Sequence, residues 1–161
     1  MSTALDPTET EDTPPSAIFE FVTFSAGGQS YCLEITQIRE IRRWTTVTAL
    51  PHTPDDVLGV MNLRGAVIPI FDLAARFGLG QTPTNERNVV IVAAAEGNTI
   101  GLLVESVSEI LSVDTAEIQP TPDIKSEATR SSIQGVISSG ETMIRVINLT
   151  AVLDQPAGVA A

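Results

Sequence analysis

The sequence is poor in the residues that most often carry chemistry. It holds one cysteine, Cys32, and one histidine, His52, which excludes an internal disulfide framework and any zinc site built on several Cys or His ligands. Aromatic residues make up only 4% of the chain, and 9 basic residues face 20 acidic ones, for a formal net charge of −11. A field of that sign repels phosphate backbones and anionic headgroups, so no nucleic acid partner is expected and basic patches are the favoured ones. No stretch approaches the roughly 20 apolar residues of a membrane-spanning helix. Residues Met1 to Ser16, acidic and Pro-rich, lack the basic region and apolar run of a signal peptide. Together these absences predict a soluble, cytoplasmic protein without direct membrane insertion.

What is present is aliphatic. Hydrophobic residues reach 43% with few aromatics, so Val, Ile and Leu must fill the core, and the β-branched types among them favour pleated sheets. Residues 1–16 and 155–161 offer too little apolar surface to offset ordering entropy and read as flexible tails around one folded region, 17–154.

Inside that region short apolar runs alternate with turn signals. Ile18 to Phe24 is apolar on both faces and reads as a strand buried on two sides. Gly27-Gly28 supplies a tight turn, and Ser30 to Glu34 returns as the second strand of a hairpin. One helical turn near Ile35 and Ile38 precedes a strand from Arg39 to Trp44. Asp55-Asp56 after Pro54 predicts the charged start of a short helix ending near Gly59. Val60 to Leu63 and Ala66 to Phe71 flank Arg64-Gly65 as a hairpin, with Pro69 at an edge or bulge. Asp72 is a candidate N-cap for a short helix through Phe77, closed by Gly78.

A second β-rich half follows: Asn88 to Ala95, a turn at Glu96-Gly97-Asn98, Thr99 to Val104, and Val107 to Val113. A long loop from Pro120 to Ser132 leads to Ile133–Ile137 and Met143–Ile147 around Ser138-Ser139-Gly140, and Asn148 caps a last short helix to Leu153. Many short strands with helices of one or two turns predict a mainly β protein of small barrels, one lobe in each half. A parallel α/β sheet would need longer crossover helices.

Catalytic constellations are missing. Gly78-Leu79-Gly80 lacks the third glycine and following helix of a phosphate loop and reads as a helix stop. Cys32 sits inside a strand pattern as a small buried thiol. His52 is a loop histidine without a partner motif, and Glu105 and Glu109 are outward positions of a half-buried segment. The segment Gly59 to Asp72, GVMNLRGAVIPIFD, stands out instead. A rigid hairpin tip bearing Arg64 would offer a planar, five-donor fork to a partner's carbonyls or carboxylates, although a solvated turn arginine is the ordinary alternative. Trp44, the only tryptophan, is either core filler or an interface anchor. Arg39, Arg42 and Arg43 read as a solvated strand face.

These segments resemble the CheW family of chemotaxis coupling proteins over most of Ile18 to Leu153. The resemblance is carried by Tyr31-Cys32-Leu33-Glu34-Ile35, by Ile38-Arg39-Glu40-Ile41-Arg42, by Thr53-Pro54 and above all by Gly59 to Leu73. It continues through Asn88 to Val92, Gly101 to Val107, Ile118-Gln119-Pro120, Gly135-Val136 and Ile147-Asn148-Leu149. Glu105 and Asn148 depart from it, standing where the family frequently has Asp.

The resemblance implies two intertwined SH3-like five-stranded β-barrels with short helices, no catalytic activity, and no metal or cofactor. It implies a groove between the lobes for the cytoplasmic tip of a methyl-accepting chemoreceptor, with Arg64, Ile38, Glu40 and Gly101 as receptor contacts. A further surface, on the first lobe, would meet the regulatory domain of a CheA-type histidine kinase, with Ile41, Arg42, Trp44 and Gly59 as candidates. The implied role is an adaptor recruited to membrane-associated or cytoplasmic receptor arrays. The alternative is a coupling protein of a pilus-motility or other kinase pathway.

Overall fold

The computed structural model describes residues 17–52, 56–120 and 132–154. Both expected tails and most of the loop after Pro120 lie outside them.

Ten strands form two five-stranded sheets, each curled into an SH3-like barrel. They are β1 (Ile18–Ala26), β2 (Gln29–Glu34), β3 (Ile38–Arg43), β4 (Val57–Leu63), β5 (Ala66–Asp72), β6 (Val89–Ala95), β7 (Asn98–Val104), β8 (Ser106–Asp114), β9 (Ile133–Ser139) and β10 (Thr142–Ile147). The first barrel has strand order β8-β1-β2-β10-β9, and the second β3-β6-β7-β5-β4. The lobes are therefore not the two halves of the chain, as local pattern suggested. The chain leaves the first barrel after β2, builds the whole of the second, and returns. Pairing is antiparallel except where β10 joins β2 and β5 joins β7, long-range partners that no local pattern encodes.

Three apolar clusters explain why so few strands alternate apolar with polar. Phe21, Cys32, Val113, Ile137, Ile144 and Val146, drawn from all five strands, fill the first barrel. Ile68, Ile70, Val90, Val92 and Leu103 fill the second. The largest cluster lies between the barrels and takes Phe24, Tyr31 and Leu33 from one and Leu73, Phe77, Ile91 and Leu102 from the other. Along β6, Val90 and Val92 point into the barrel while Ile91 and Ala93 point between barrels. Such strands are apolar on both faces because both faces are core. Tyr31 stacks between Phe24 and Phe77 across the seam, with centroids 6.2 and 5.3 Å away, and burial pushes its phenol up to about 12.

Most predicted turns and caps occur where expected. Gly27 and Gly28 both have positive φ. Asp72 accepts a hydrogen bond from the Ala75 N–H at 3.4 Å and caps α1 (Leu73–Arg76). Asn148 accepts from the Ala151 N–H at 3.2 Å and caps α2 (Leu149–Asp154). Pro69 stands just before the stretch of β5 that pairs with β7, Ile70–Asp72, so its missing N–H breaks no parallel rung.

The expected helix after Pro54 is a correction. Asp56 is a buried turn residue, and Val57–Leu63 is a strand with Gly59 inside it. Gly59 has φ +151, and a Cβ there would stand 2.2 Å from the Thr48 carbonyl oxygen. Its lack of a side chain lets the segment after β3 pair with β4 through reciprocal Thr48–Val60 backbone bonds of 3.0 and 2.9 Å.

Candidate functional site

The site starts from a two-residue turn. Arg64 and Gly65, at φ +51 and +89, give the left-handed pair that matches the twist of a tight hairpin. A non-glycine residue costs about 1 kcal/mol in that conformation. Asn62 helps to hold it, its side-chain oxygen accepting from the Gly65 N–H at 3.1 Å. Asn62-Leu63-Arg64-Gly65 is thus a device that fixes the backbone under one arginine.

A second irregularity brings a carboxylate to that arginine. Ile38 pairs with Ala93 and Glu40 with Val92, so Arg39 is the extra residue of a β-bulge on edge strand β3. Bulges re-aim side chains. Here Ile38 is left on the inter-barrel face, packed against the large core, while Glu40 and Arg42 turn to the face of Val92 and Val90. Glu40 accepts from Arg64 Nη1 at 2.7 Å through one carboxylate oxygen and from Arg42 Nη1 at 3.1 Å through the other. The pair joins the edge strand at one end of the sheet order to the tip of the hairpin at the other.

These bonds, Arg64's first and Arg42's second, hold the Glu40 carboxyl below its ordinary value of 4.5. Arg64 is still 72% exposed. With one donor on Glu40, the rest of its fork faces solvent, oriented and available.

The residues singled out from the sequence separate into groups. Arg64, Glu40 and Arg42 form one cluster, joining two expected receptor contacts to an expected kinase contact. Ile38 lies on the opposite face of β3. Gly101 is buried in β7, where a Cβ would meet Ile70 Cδ1 at 2.5 Å and Val90 Cγ1 at 2.9 Å. Its place is in second-barrel packing, not on a surface. Ile41 is 44% exposed and projects from β3 on the side away from Arg42. Trp44 is half-buried against the second-barrel core beside Leu58 and Met61, and its backbone N–H donates to the Asn88 carbonyl at 3.1 Å. Ile41, Arg42 and Gly59 lie on strands of the second barrel, and Trp44 packs against its core. The first-half lobe to which the resemblance assigns the kinase surface is divided between the two barrels, and these four residues fall with the second.

The rejected catalytic candidates have ordinary surroundings. Cys32 has no exposure, and burial pushes its thiol up to about 12, leaving no thiolate for nucleophilic work near neutral pH. His52 is an exposed turn residue. Among the described residues no three His, Cys, Asp or Glu side chains gather as metal ligands, and no helix is long and apolar enough to cross a membrane.

Sequence reasoning missed a buried ion pair. Arg76 Nη1 lies 2.9 Å from Asp56 Oδ2, their side chains 4% and 5% exposed. The available signal was an arginine inside the otherwise apolar turn Leu73-Ala74-Ala75-Arg76-Phe77. Asp72 also does more than cap: its carboxylate accepts from the Thr82 N–H and hydroxyl at 2.7 and 2.6 Å.

Two interleaved SH3-like barrels joined by a shared core define a class of small scaffold domain. Residues 20–157 match the CheW-like domain family. The chain is 45% identical over 142 residues to the probable chemotaxis protein CheW of Rhizobium etli, covering 88% of this chain and 92% of that protein. It is 47% identical over 133 residues to the chemotaxis protein CheW of Rhizobium meliloti, covering 83% and 86%. The crystal structure of the scaffolding protein TtCheW from Thermoanaerobacter tengcongensis superposes with a TM-score of 0.78 at 29% identity, covering 91% of this chain and 92% of that one. The chain belongs to the CheW-like family, whose members are scaffold adaptors, and it is a chemotaxis coupling protein.

Proposed function

We propose that this chain joins the cytoplasmic tip of a chemoreceptor to the regulatory domain of a CheA-type histidine kinase, as a non-enzymatic cytoplasmic adaptor recruited to membrane-associated or cytoplasmic receptor arrays. The observation that carries this reading is the Arg64 tip: a backbone fixed in an uncommon conformation, a carboxylate that orients the guanidinium, and most of the fork left in solvent. Arginine forks bind carboxylates and carbonyls in fixed geometry, and a receptor's helical hairpin offers both.

In this reading Arg64 is the receptor contact and Glu40 aligns it. Ile38 contributes from the inter-barrel side, and Gly101 acts only through the packing behind β5 and β7. Ile41, Arg42 and Trp44 form the kinase side, with Gly59 supporting it by admitting the Thr48 segment. Because Arg42 shares Glu40 with Arg64, the two sides meet at one carboxylate. Calorimetric titration against separate receptor-tip and kinase-regulatory fragments tests the assignment. Arg64→Ala is expected to weaken the receptor fragment and spare the kinase fragment, and unchanged receptor affinity would return Arg64 to a solvated turn.

A further inference from the structure

Arg76 takes no part in the cluster around Arg64, yet it is the most deeply buried arginine described. Burying a guanidinium carries a desolvation penalty of several kcal/mol, and apolar residues of similar volume often stabilise a fold as well or better. Stability alone is a poor account of a charge in that position, so what its bonds connect matters more.

Nη1 donates to Asp56 Oδ2 at 2.9 Å, and Nη2 donates to the Val152 carbonyl at 2.9 Å. The guanidinium carbon lies 4.8 Å from the Phe71 ring centroid. Asp56 stands at the entrance to β4, and its carbonyl accepts from the Asp72 N–H at 2.8 Å. Asp56, Phe71 and Arg76 therefore belong to one end of the second barrel. Val152 belongs to α2, which follows directly from β10, the last strand of the first barrel, and packs against β6 of the second.

We propose that Arg76 is a positioning residue that, with the inter-barrel core, sets the angle between the barrels, by holding the helix that continues the first barrel's last strand on the β4–β5 end of the second. The two bonds diverge from two nitrogens of one planar group. A lysine lacks the second nitrogen that reaches Val152, and its ammonium would stay with the Asp56 carboxylate. The consequence for partners rests on the function proposed above: a looser angle would weaken a receptor tip held between the lobes.

The comparison that tests this is Arg76→Lys against Asp56→Asn. Both disturb the ion pair, but only the first removes the tie to Val152. Hydrogen exchange of the α2 amides is measured together with spin-label distances between Arg43→Cys on β3 and Ser108→Cys on β8, both exposed positions; buried Cys32 is left in place. For Arg76→Lys, α2 exchange is expected to rise at least tenfold and the distance distribution to broaden, with both barrel interiors protected as before. Asp56→Asn should keep α2 protected. Wild-type α2 exchange and an unchanged distance distribution in Arg76→Lys would overturn the proposal. So would equal losses in both variants spread over barrels and helix alike, the signature of a pair that serves stability only. Titration with the receptor-tip fragment is read separately, with a five- to tenfold rise in Kd expected for Arg76→Lys. Altered exchange and distances with unaltered binding would uphold the strut and overturn the assignment of the receptor site.

Discussion

Of the seven arginines among the described residues, six lie between Ile38 and Val104, in the second barrel and its connections, and only Arg145 serves the first. Exposed Glu20, Glu109 and Glu141 of the first barrel make no ion pair among the described residues, while Glu40 and Asp56 of the second are each held by arginine. Both barrels bury aliphatic interiors of the same kind. The difference is that Glu20, Glu109 and Glu141 of the first stay in water, where they favour solubility, while Glu40 and Asp56 of the second are fixed by arginine. Loss of those arginine-held carboxylates should therefore be felt, and loss of those exposed ones ignored.

The largest break in that contrast should come from Asp56→Ala, which strips an anion from buried Arg76 and is expected to cost about 3–5 kcal/mol. Urea denaturation measures it, and a loss under about 1 kcal/mol would show that water relieves the guanidinium. Trp44→Ala should follow at about 3 kcal/mol, the low end for truncating a large aromatic, because Trp44 is only half-buried. Thermal melting beside kinase-fragment titration separates a core role from an interface role: a lost contact with an unmoved midpoint would assign Trp44 to the interface.

Arg64→Ala should leave folding within about 1 kcal/mol, since exposed ion pairs contribute little. Receptor-fragment affinity should fall by about 1.5–3 kcal/mol, roughly ten- to a hundredfold. The Glu40 pairing supplies a pH-dependent version of the same test. Its carboxyl titrates below the ordinary value in the folded protein, so the contribution is complete above about 4.5 and is lost as pH falls through the lower folded value. Carboxyl and guanidinium NMR signals of Glu40 and Arg64 should change together in that window, and independent titration would mean they do not pair in solution. The smallest effect is expected in the first barrel, where Glu141→Gln should change stability by no more than about 0.5 kcal/mol.

Local features of this molecule were legible because their causes are local. Asn62 to Gly65, the Asp72 cap and the Asn148 cap each rest on residues within four positions of one another, and each occurs as read. The stretch Asp56 to Gly59 was misread because four residues bearing a charge, two apolar side chains and a glycine fit a helix start as well as a strand start. What decides is Thr48, whose backbone needs the space at Gly59. Of the candidate site, Arg64 and Glu40 were each visible from the family motif, but their pairing was not. It depends on a bulge at Arg39 that appears only when β3 is set against β6. Arg76 stood out only as a charge in an apolar turn, and its bonds were hidden for a similar reason, since its two partners lie far away along the chain in opposite directions.

The parallel pairing of β2 with β10 also governs the order in which this molecule can be made. Every strand of the second barrel lies between Ile38 and Val104, so that barrel can close while the C-terminal segment is still being synthesised. The first cannot: Tyr31 and Cys32 must wait for Arg145 and Val146, and such distant pairings close slowly. During that interval β1 and β2 present an unfinished edge beside a finished neighbour. Among the described residues the last to be synthesised, including the helix that Arg76 holds, are the ones that complete the fold.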